Sequence, residues 1–141
     1  MLIEDKIAIQ ELNYRYALHV DAMQIAEWVD VFAPDGVLDE REFGLGLHSG
    51  HDGLWAYGRK MEDEVVLQVH LMVNHLISST TPDAATGTAF ALIEAETRVF
   101  GRVRFHVRYE DDYVRLGGEW KFKSRVLRKS FEPEVISPLE R

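Results

Sequence analysis

Chemistry at carbon without a thiol needs an imidazole or a carboxylate whose basicity and orientation are set by neighbours in a partly dry site. The sequence has no cysteine and six histidines, so the histidines come first. His75 lies in the apolar run Leu71-Met72-Val73-Asn74-His75-Leu76-Ile77, where strand alternation places it on the face of Val73 and Ile77. It is either a base in apolar surroundings or a core histidine satisfied by one hydrogen bond, and spacing alone makes the second the simpler reading. Asp21 closes the run Tyr16-Ala17-Leu18-His19-Val20-Asp21. The chain must turn there to begin a second helix, and by residue type alone Asp21 fits a cap for the exposed N–H groups of that helix.

Other side chains have weaker claims. On a straight helix Tyr14 shares a face with Asp21, seven residues away, whereas Tyr16 points elsewhere. Arg125 sits in the basic cluster Lys121, Lys123, Arg125 and Arg128, which reads as a solvated strand face. His70 and His19 are placed for a pocket mouth, and Tyr57, Trp55 and Met72 for its walls, although core packing accounts for the last three equally well. His48 and His51 are three apart in a glycine-rich loop with no third ligand at a supporting spacing, so no metal is expected. Gly44-Leu45-Gly46 lacks the third glycine and the βαβ unit of a dinucleotide site, so no nucleotide cofactor is expected either.

These residues have to be positioned by two kinds of element. Ile9, Leu12, Tyr16 and Val20 recur at helical spacing from Ile3 to about Val20, and Ile3, Ile7, Tyr14 and Leu18 form a second apolar stripe, which predicts a helix sandwiched on two sides. A shorter helix carrying Ile25, Val29 and Phe32 ends at the turn Pro34-Asp35-Gly36. Short strands follow at Val37–Glu40 and Phe43–Leu47, then a third helix with Leu54, Tyr57 and Met61. From about Leu71 the pattern becomes extended: Leu71–Thr80, Gly87–Thr97, Val103–Leu116 and Glu119–Arg128, with turns at Thr81-Pro82-Asp83 and Gly117-Gly118. Helices first and hairpin-linked strands afterwards predict an α+β fold with the helices on one face of an antiparallel sheet. Strands this long should be bent or bulged. The tail, residues 131–141, reads as irregular.

At 141 residues the chain fits one domain, residues 1–141. Sixteen basic against twenty-four acidic residues give a formal charge of -8, which repels nucleic acid and anionic lipid. Met1-Leu2-Ile3-Glu4-Asp5-Lys6 has neither the basic nor the long apolar segment of a signal peptide, and no stretch is long and apolar enough to span a membrane, so the expected location is cytoplasmic. A homo-oligomer, dimer or trimer, is expected through the outer face of the sheet, with Val103-Phe105-Val107 against Arg102-Arg104-His106 as a mixed strand face.

The run from Ile9 to Asp21, Phe32-Ala33-Pro34-Asp35-Gly36, Gly50-His51-Asp52-Gly53-Leu54, Asn74-His75-Leu76-Ile77 and Gly118-Glu119-Trp120-Lys121-Phe122 together resemble, in matching order, the SnoaL-like families of the nuclear transport factor 2-like superfamily. The resemblance implies a cone-shaped, cystatin-like α+β barrel, a curved sheet wrapped around the N-terminal helices and a deep pocket. Its closest functional echo is the branch of scytalone dehydratase, hexachlorocyclohexane dehydrochlorinase and bile-acid 7α-dehydratase. That branch implies His75 as the base that takes a proton from carbon, Asp21 as the group that holds its tautomer, and Tyr16 as a helper to the departing group. It also places Arg125 where a basic residue reaches the pocket. The implied activity is a cofactor-independent, dehydratase-like lyase acting on a small, mostly apolar, ring-containing molecule. The same parts serve an isomerase or a polyketide-type cyclase, and the fold also occurs as the non-catalytic small subunit of ring-hydroxylating dioxygenases or as a ligand-binding protein.

Overall fold

The computed structural model describes residues 1–139, so the last two residues of the expected tail, Glu140 and Arg141, lie outside the described residues. Helices α1 (Ile3–Asp21) and α2 (Ile25–Asp30) lead into β1 (Phe32–Asp39). A short turn of 3-10 helix (Arg41–Phe43), β2 (Leu47–Ser49) and α3 (Gly50–Glu64) follow, and then the long strands β3 (Val65–Thr81), β4 (Ala84–Thr97), β5 (Gly101–Leu116) and β6 (Glu119–Lys129), and β7 (Glu134–Ser137). Along the sheet the order is β2-β1-β6-β5-β4-β3, an open path, with β7 alongside β5. This is the α+β arrangement expected from the sequence.

Only one side of α1 is covered. Ile9, Leu12, Tyr16, Ala17 and Val20 are buried against the sheet, whereas the second stripe, Ile3, Ile7, Tyr14 and Leu18, is exposed. The helix is therefore not sandwiched. Asp5 fixes its first turn to the β5–β6 hairpin by accepting from Trp120 Nε1 at 3.0 Å and from Arg115 Nη1 at 3.2 Å. The inward stripe meets Trp28, Phe32, Tyr109 and Phe122, whose rings lie 5.7 to 6.1 Å from that of Tyr16 at steep angles. Such tilted contacts add to the area these aromatics bury. At Gly58, where α3 crosses α2, an added Cβ would collide with the Ile25 side chain.

Four sequence expectations are corrected by pairing and burial. Phe32 does not end α2: it starts β1, and the Pro34-Asp35-Gly36 turn is a bulge between Phe32 and Val37 within that strand. β1 lies parallel to β6, to which it is connected through β2, α3 and the long strands β3 to β5. The tail is not wholly irregular, since Glu134–Ser137 pairs with β5 at Arg102–Arg104, beyond the point where β6 has left that strand. Val103, Phe105 and Val107 face inward, with Val103 and Val107 buried, so they form no outer face, and on the other side Arg102 and Arg104 both bond to Glu94.

β3 explains how the interior is furnished. Up to Val73 its even-numbered residues Gln68, His70 and Met72 point inward while Leu67, Val69, Leu71 and Val73 are about half exposed or more. Asn74 then adopts a left-handed conformation, φ 51°, where the register with β4 shifts. An extra residue reverses the parity of a strand, so after Asn74 the odd-numbered His75 and Ile77 point inward.

Candidate active site

A cavity of about 380 Å³ opens between α1, α3 and the concave face of the sheet. That volume suits a small organic molecule. Its walls are mostly apolar, including Val20, Trp28, Phe105 and Leu127, with His70, Gln68, Tyr16, Tyr57, Glu40, Lys60, Glu64 and Thr97 as polar residues set among them.

Asp21 is the last residue of α1, and two neighbours on β3 fix that end of the helix. Gln68 Nε2 donates to the Val20 carbonyl at 3.1 Å, and the His70 backbone N–H donates to Asp21 Oδ2 at 2.7 Å. The other carboxylate oxygen, Oδ1, lies 2.5 Å from His70 Nδ1. A carboxylate can only accept, so Nδ1 carries the proton and donates it, which in the neutral ring leaves Nε2 with a free lone pair. Nε2 makes no hydrogen bond among the described residues, and the ring lines the cavity. The helix runs straight through Asp21, which puts Asp21 and Tyr16 about 140° apart around its axis. Tyr16 points into the cavity, its ring 6.1 Å from and nearly perpendicular to that of His70. Burial raises the Tyr16 phenol well above its ordinary pKa, so it stays neutral.

The partner expected for Asp21 is different. His75 lies beyond the Asn74 bulge and bonds through Nε2 to the Tyr113 hydroxyl at 2.8 Å, and that hydroxyl donates to Asp111 Oδ2 at 2.7 Å. His75 therefore donates from Nε2, and its Nδ1 is buried without a partner. Burial holds its pKa below the ordinary value. It is not among the residues lining the cavity. Alternation placed His75 inward with Ile77, as found, and erred only at Val73, which lies across the bulge and is exposed, whereas the pairing of His75 with Asp21 was implied by the family resemblance.

The remaining candidates divide in the same way. Tyr57 lines the cavity. Tyr14 is 47% exposed on the outer side of α1, and Trp55, under the Arg59 guanidinium, and Met72 are half-buried away from the cavity. Arg125 is fully buried rather than solvated. It donates to Asp111 at 2.8 and 2.9 Å and to Asn13 Oδ1 at 2.6 Å, and its guanidinium lies 3.9 to 4.5 Å from the ring centres of Tyr109, Phe122 and Tyr16. It forms the layer directly behind Tyr16. His19 bonds Gln24 on the surface, and His48 and His51 bond the carbonyls of Leu45 and Phe32 separately. Among the described residues no group of three His, Asp or Glu side chains converges as metal ligands.

Two residues escaped the sequence reading. The alternation Leu67-Gln68-Val69-His70-Leu71 is a strand whose polar face points inward, and it was a legible sign of a furnished interior. Glu40 shares the inward face of Leu38, but the charged run Asp39-Glu40-Arg41-Glu42 reads as a solvated turn. It is 7% exposed and lines the cavity.

Residues 1–126 match the SnoaL-like domain. The chain belongs to the SnoaL-like family. Its fold is cystatin-like and nuclear transport factor 2-like, and a Nostoc punctiforme protein described as having a cystatin-like fold superimposes with a TM-score of 0.76. A candidate aromatic ring hydroxylase from Novosphingobium aromaticivorans is 26% identical, with 95% of this SnoaL-like chain and 94% of that chain covered and a TM-score of 0.89. A candidate scytalone dehydratase from the same species is 19% identical over 99% and 95% of the two chains, with a TM-score of 0.86. A type 3 hexachlorocyclohexane dehydrochlorinase from Novosphingobium barchaimii is 18% identical over 99% and 96%, with a TM-score of 0.83. No curated protein matches the SnoaL-like sequence.

Proposed function

We propose that this SnoaL-like protein is a cofactor-independent lyase that removes a proton from carbon in a small, mostly apolar, ring-containing molecule. The observation that carries the reading is the Asp21–His70 pair, whose free Nε2 belongs to a ring lining an apolar cavity. In this reading His70 is the base, and Asp21 holds the tautomer and stabilises the imidazolium that forms. Tyr16, neutral and inside the cavity, donates a hydrogen bond to the oxygen on which charge develops. The apolar wall keeps water from competing for the proton.

The structural neighbours described as a scytalone dehydratase and a dehydrochlorinase support elimination, and the same base serves isomerisation or ring closure. A second reading is a non-catalytic subunit of a ring-hydroxylating enzyme, the activity for which one structural neighbour is named. Under that reading the free His70 nitrogen has no use. Self-association as a dimer or trimer completes the proposal, supported by the half-exposed apolar stripe Leu67, Val69, Leu71 and Val73 on the outer face of β3.

Nitrobenzisoxazole, an apolar bicycle opened by removal of a single C–H proton, tests the base directly. Wild type should open it faster than buffer, His70→Ala should lose that acceleration, and Asp21→Asn should lose most of it. Equal rates for wild type and His70→Ala would sink the assignment.

A further inference from the structure

Glu40 follows the last residue of β1 and is held there by its backbone, whose N–H donates to the Gly46 carbonyl at 2.8 Å and whose carbonyl accepts from Phe43 and Leu45 at 3.0 and 3.1 Å. Its side chain is thereby directed inward behind Leu38, and its Oε1 has no hydrogen-bond partner. The nearest group able to carry positive charge is His48, with Nε2 at 3.9 Å, and that nitrogen is already bonded to the Leu45 carbonyl at 2.9 Å. The His48 ring is stacked on Tyr57 at 3.8 Å, which fixes both.

Of the other groups facing Glu40 only the Tyr57 hydroxyl favours a carboxylate, and none of them carries positive charge against it. Tyr57 approaches from α3, Tyr16 from α1 and Tyr109 from β5, all neutral phenols, and the adjacent Asp39 is anionic and engaged by Arg41. Lys60 and Glu64 of α3 line the cavity too, and neither bonds to Glu40. Burial pushes the Glu40 carboxyl up to about 7, with the Tyr57 hydroxyl contact pulling the other way. A buried carboxyl with an unused oxygen, in the same cavity as an imidazole with an unused nitrogen, provides an acid and a base for one bound molecule.

We propose that Glu40 is the proton donor of this cavity, and that the substrates are ring compounds whose hydroxyl leaves as water rather than compounds that lose halide. The proposal rests on the reading of His70 as base. His70 Nε2 takes the proton from carbon, the C–H electron pair becomes the new C=C bond, and the C–O bond breaks with its pair going to oxygen. The Glu40 carboxyl proton completes the water. The imidazolium and carboxylate that remain exchange one proton through that water, restoring both groups without any other reactant. A halide leaves as a stable anion and would draw nothing from Glu40.

Two measurements on the whole protein test this. The infrared difference spectrum of wild type minus Glu40→Gln should contain a protonated-carboxyl C=O band at pH 6 that fades as the pH passes 7, and its absence overturns the proposal. The second compares a cyclohexanone carrying a β-hydroxyl with its β-chloro counterpart. Glu40→Gln should slow loss of water about 100-fold or more while changing loss of chloride less than about threefold, and His70→Ala should abolish both. Equal slowing of both reactions by Glu40→Gln, or wild-type turnover of the chloro compound alone or of neither, overturns the proposal. If His70→Ala leaves both rates intact while the Glu40 effect holds, the base assignment fails and the acid assignment stands.

Discussion

Two histidines five residues apart on β3 both face inward, and they have opposite surroundings. His70 gives one nitrogen to Asp21 and keeps the other free at the cavity wall. His75 gives one nitrogen to Tyr113, which leads on through Asp111 to Arg125, and its second nitrogen is sealed in protein. Both are bonded, directly or through one hydroxyl, to an aspartate. What separates a candidate base from a structural histidine is where the second nitrogen opens, and that depends on the sheet, not on residue type.

The largest expected effect breaks this comparison if it fails. His70→Ala should slow nitrobenzisoxazole opening by about 10²–10⁴-fold, the usual range for a positioned general base. His75→Ala should leave the rate within a few-fold and instead lower the midpoint of urea unfolding. If the rate losses are reversed, the cavity and the network have exchanged roles and the function proposed for the Asp21 pair falls.

The network side has its own large effect, in stability. Arg125 and Asp111 are both fully buried, so removing the cation leaves an uncompensated carboxylate among apolar rings. Arg125→Met should destabilise the fold by roughly 3–5 kcal/mol, the range for breaking one half of a buried pair, read from urea unfolding at pH 7. Asp111→Asn with Arg125→Met together should recover part of it, since neither then carries charge. A loss below about 1 kcal/mol for the single change would mean that water reaches the pair.

On the cavity side, Glu40→Gln should act in the opposite direction. The folded state holds the carboxyl neutral to about pH 7, whereas the unfolded chain ionises it near 4.5. The folded protein therefore binds the proton more tightly, and the Glu40 contribution to stability is full below about pH 4.5, declines as the pH rises, and is lost above about 7. The 2.5-unit difference corresponds to roughly 3 kcal/mol. Glu40→Gln should thus be more stable than wild type at pH 8 by up to about that amount, with the gap closing at pH 4.5. Equal unfolding midpoints at both pH values would place the carboxylate in contact with solvent.

What the sequence made legible follows from what is local in it. The helical stripe through Ile9, Leu12, Tyr16 and Val20, the change to extended runs and the hairpin turns gave the α+β architecture, because each is a repeat of three, four or two residues. The family resemblance pointed to Asp21 and Tyr16, and the structure bonds Asp21 to a residue that lines the cavity and puts Tyr16 in its wall. The partner of Asp21 was missed because pairing across 49 residues depends on register, and the register depends on one left-handed residue. Glu40 was missed because a charged turn and a buried acid have the same local sequence. Tyr14 and Trp55 were misplaced because apolar and aromatic residues on two faces of a helix do not say which face the sheet covers.

The smallest effect expected is at the residue that sets the comparison up. Asn74 is the point at which β3 changes parity, and with φ at 51° it occupies the left-handed region that asparagine tolerates and branched residues do not. Asn74→Val should cost about 1–2 kcal/mol from that conformation alone, whereas Asn74→Gly should be close to neutral. Deleting Asn74 is a different operation. It would remove the extra residue, so that plain alternation through Val73 and Leu76 keeps His75 and Ile77 on the same inward face as Gln68, His70 and Met72. Nitrobenzisoxazole activity retained in both Asn74→Val and the deletion variant is the outcome expected if the bulge only absorbs one extra residue. Activity lost in the deletion variant alone would mean that the bulge itself, and not parity, holds His70 in place.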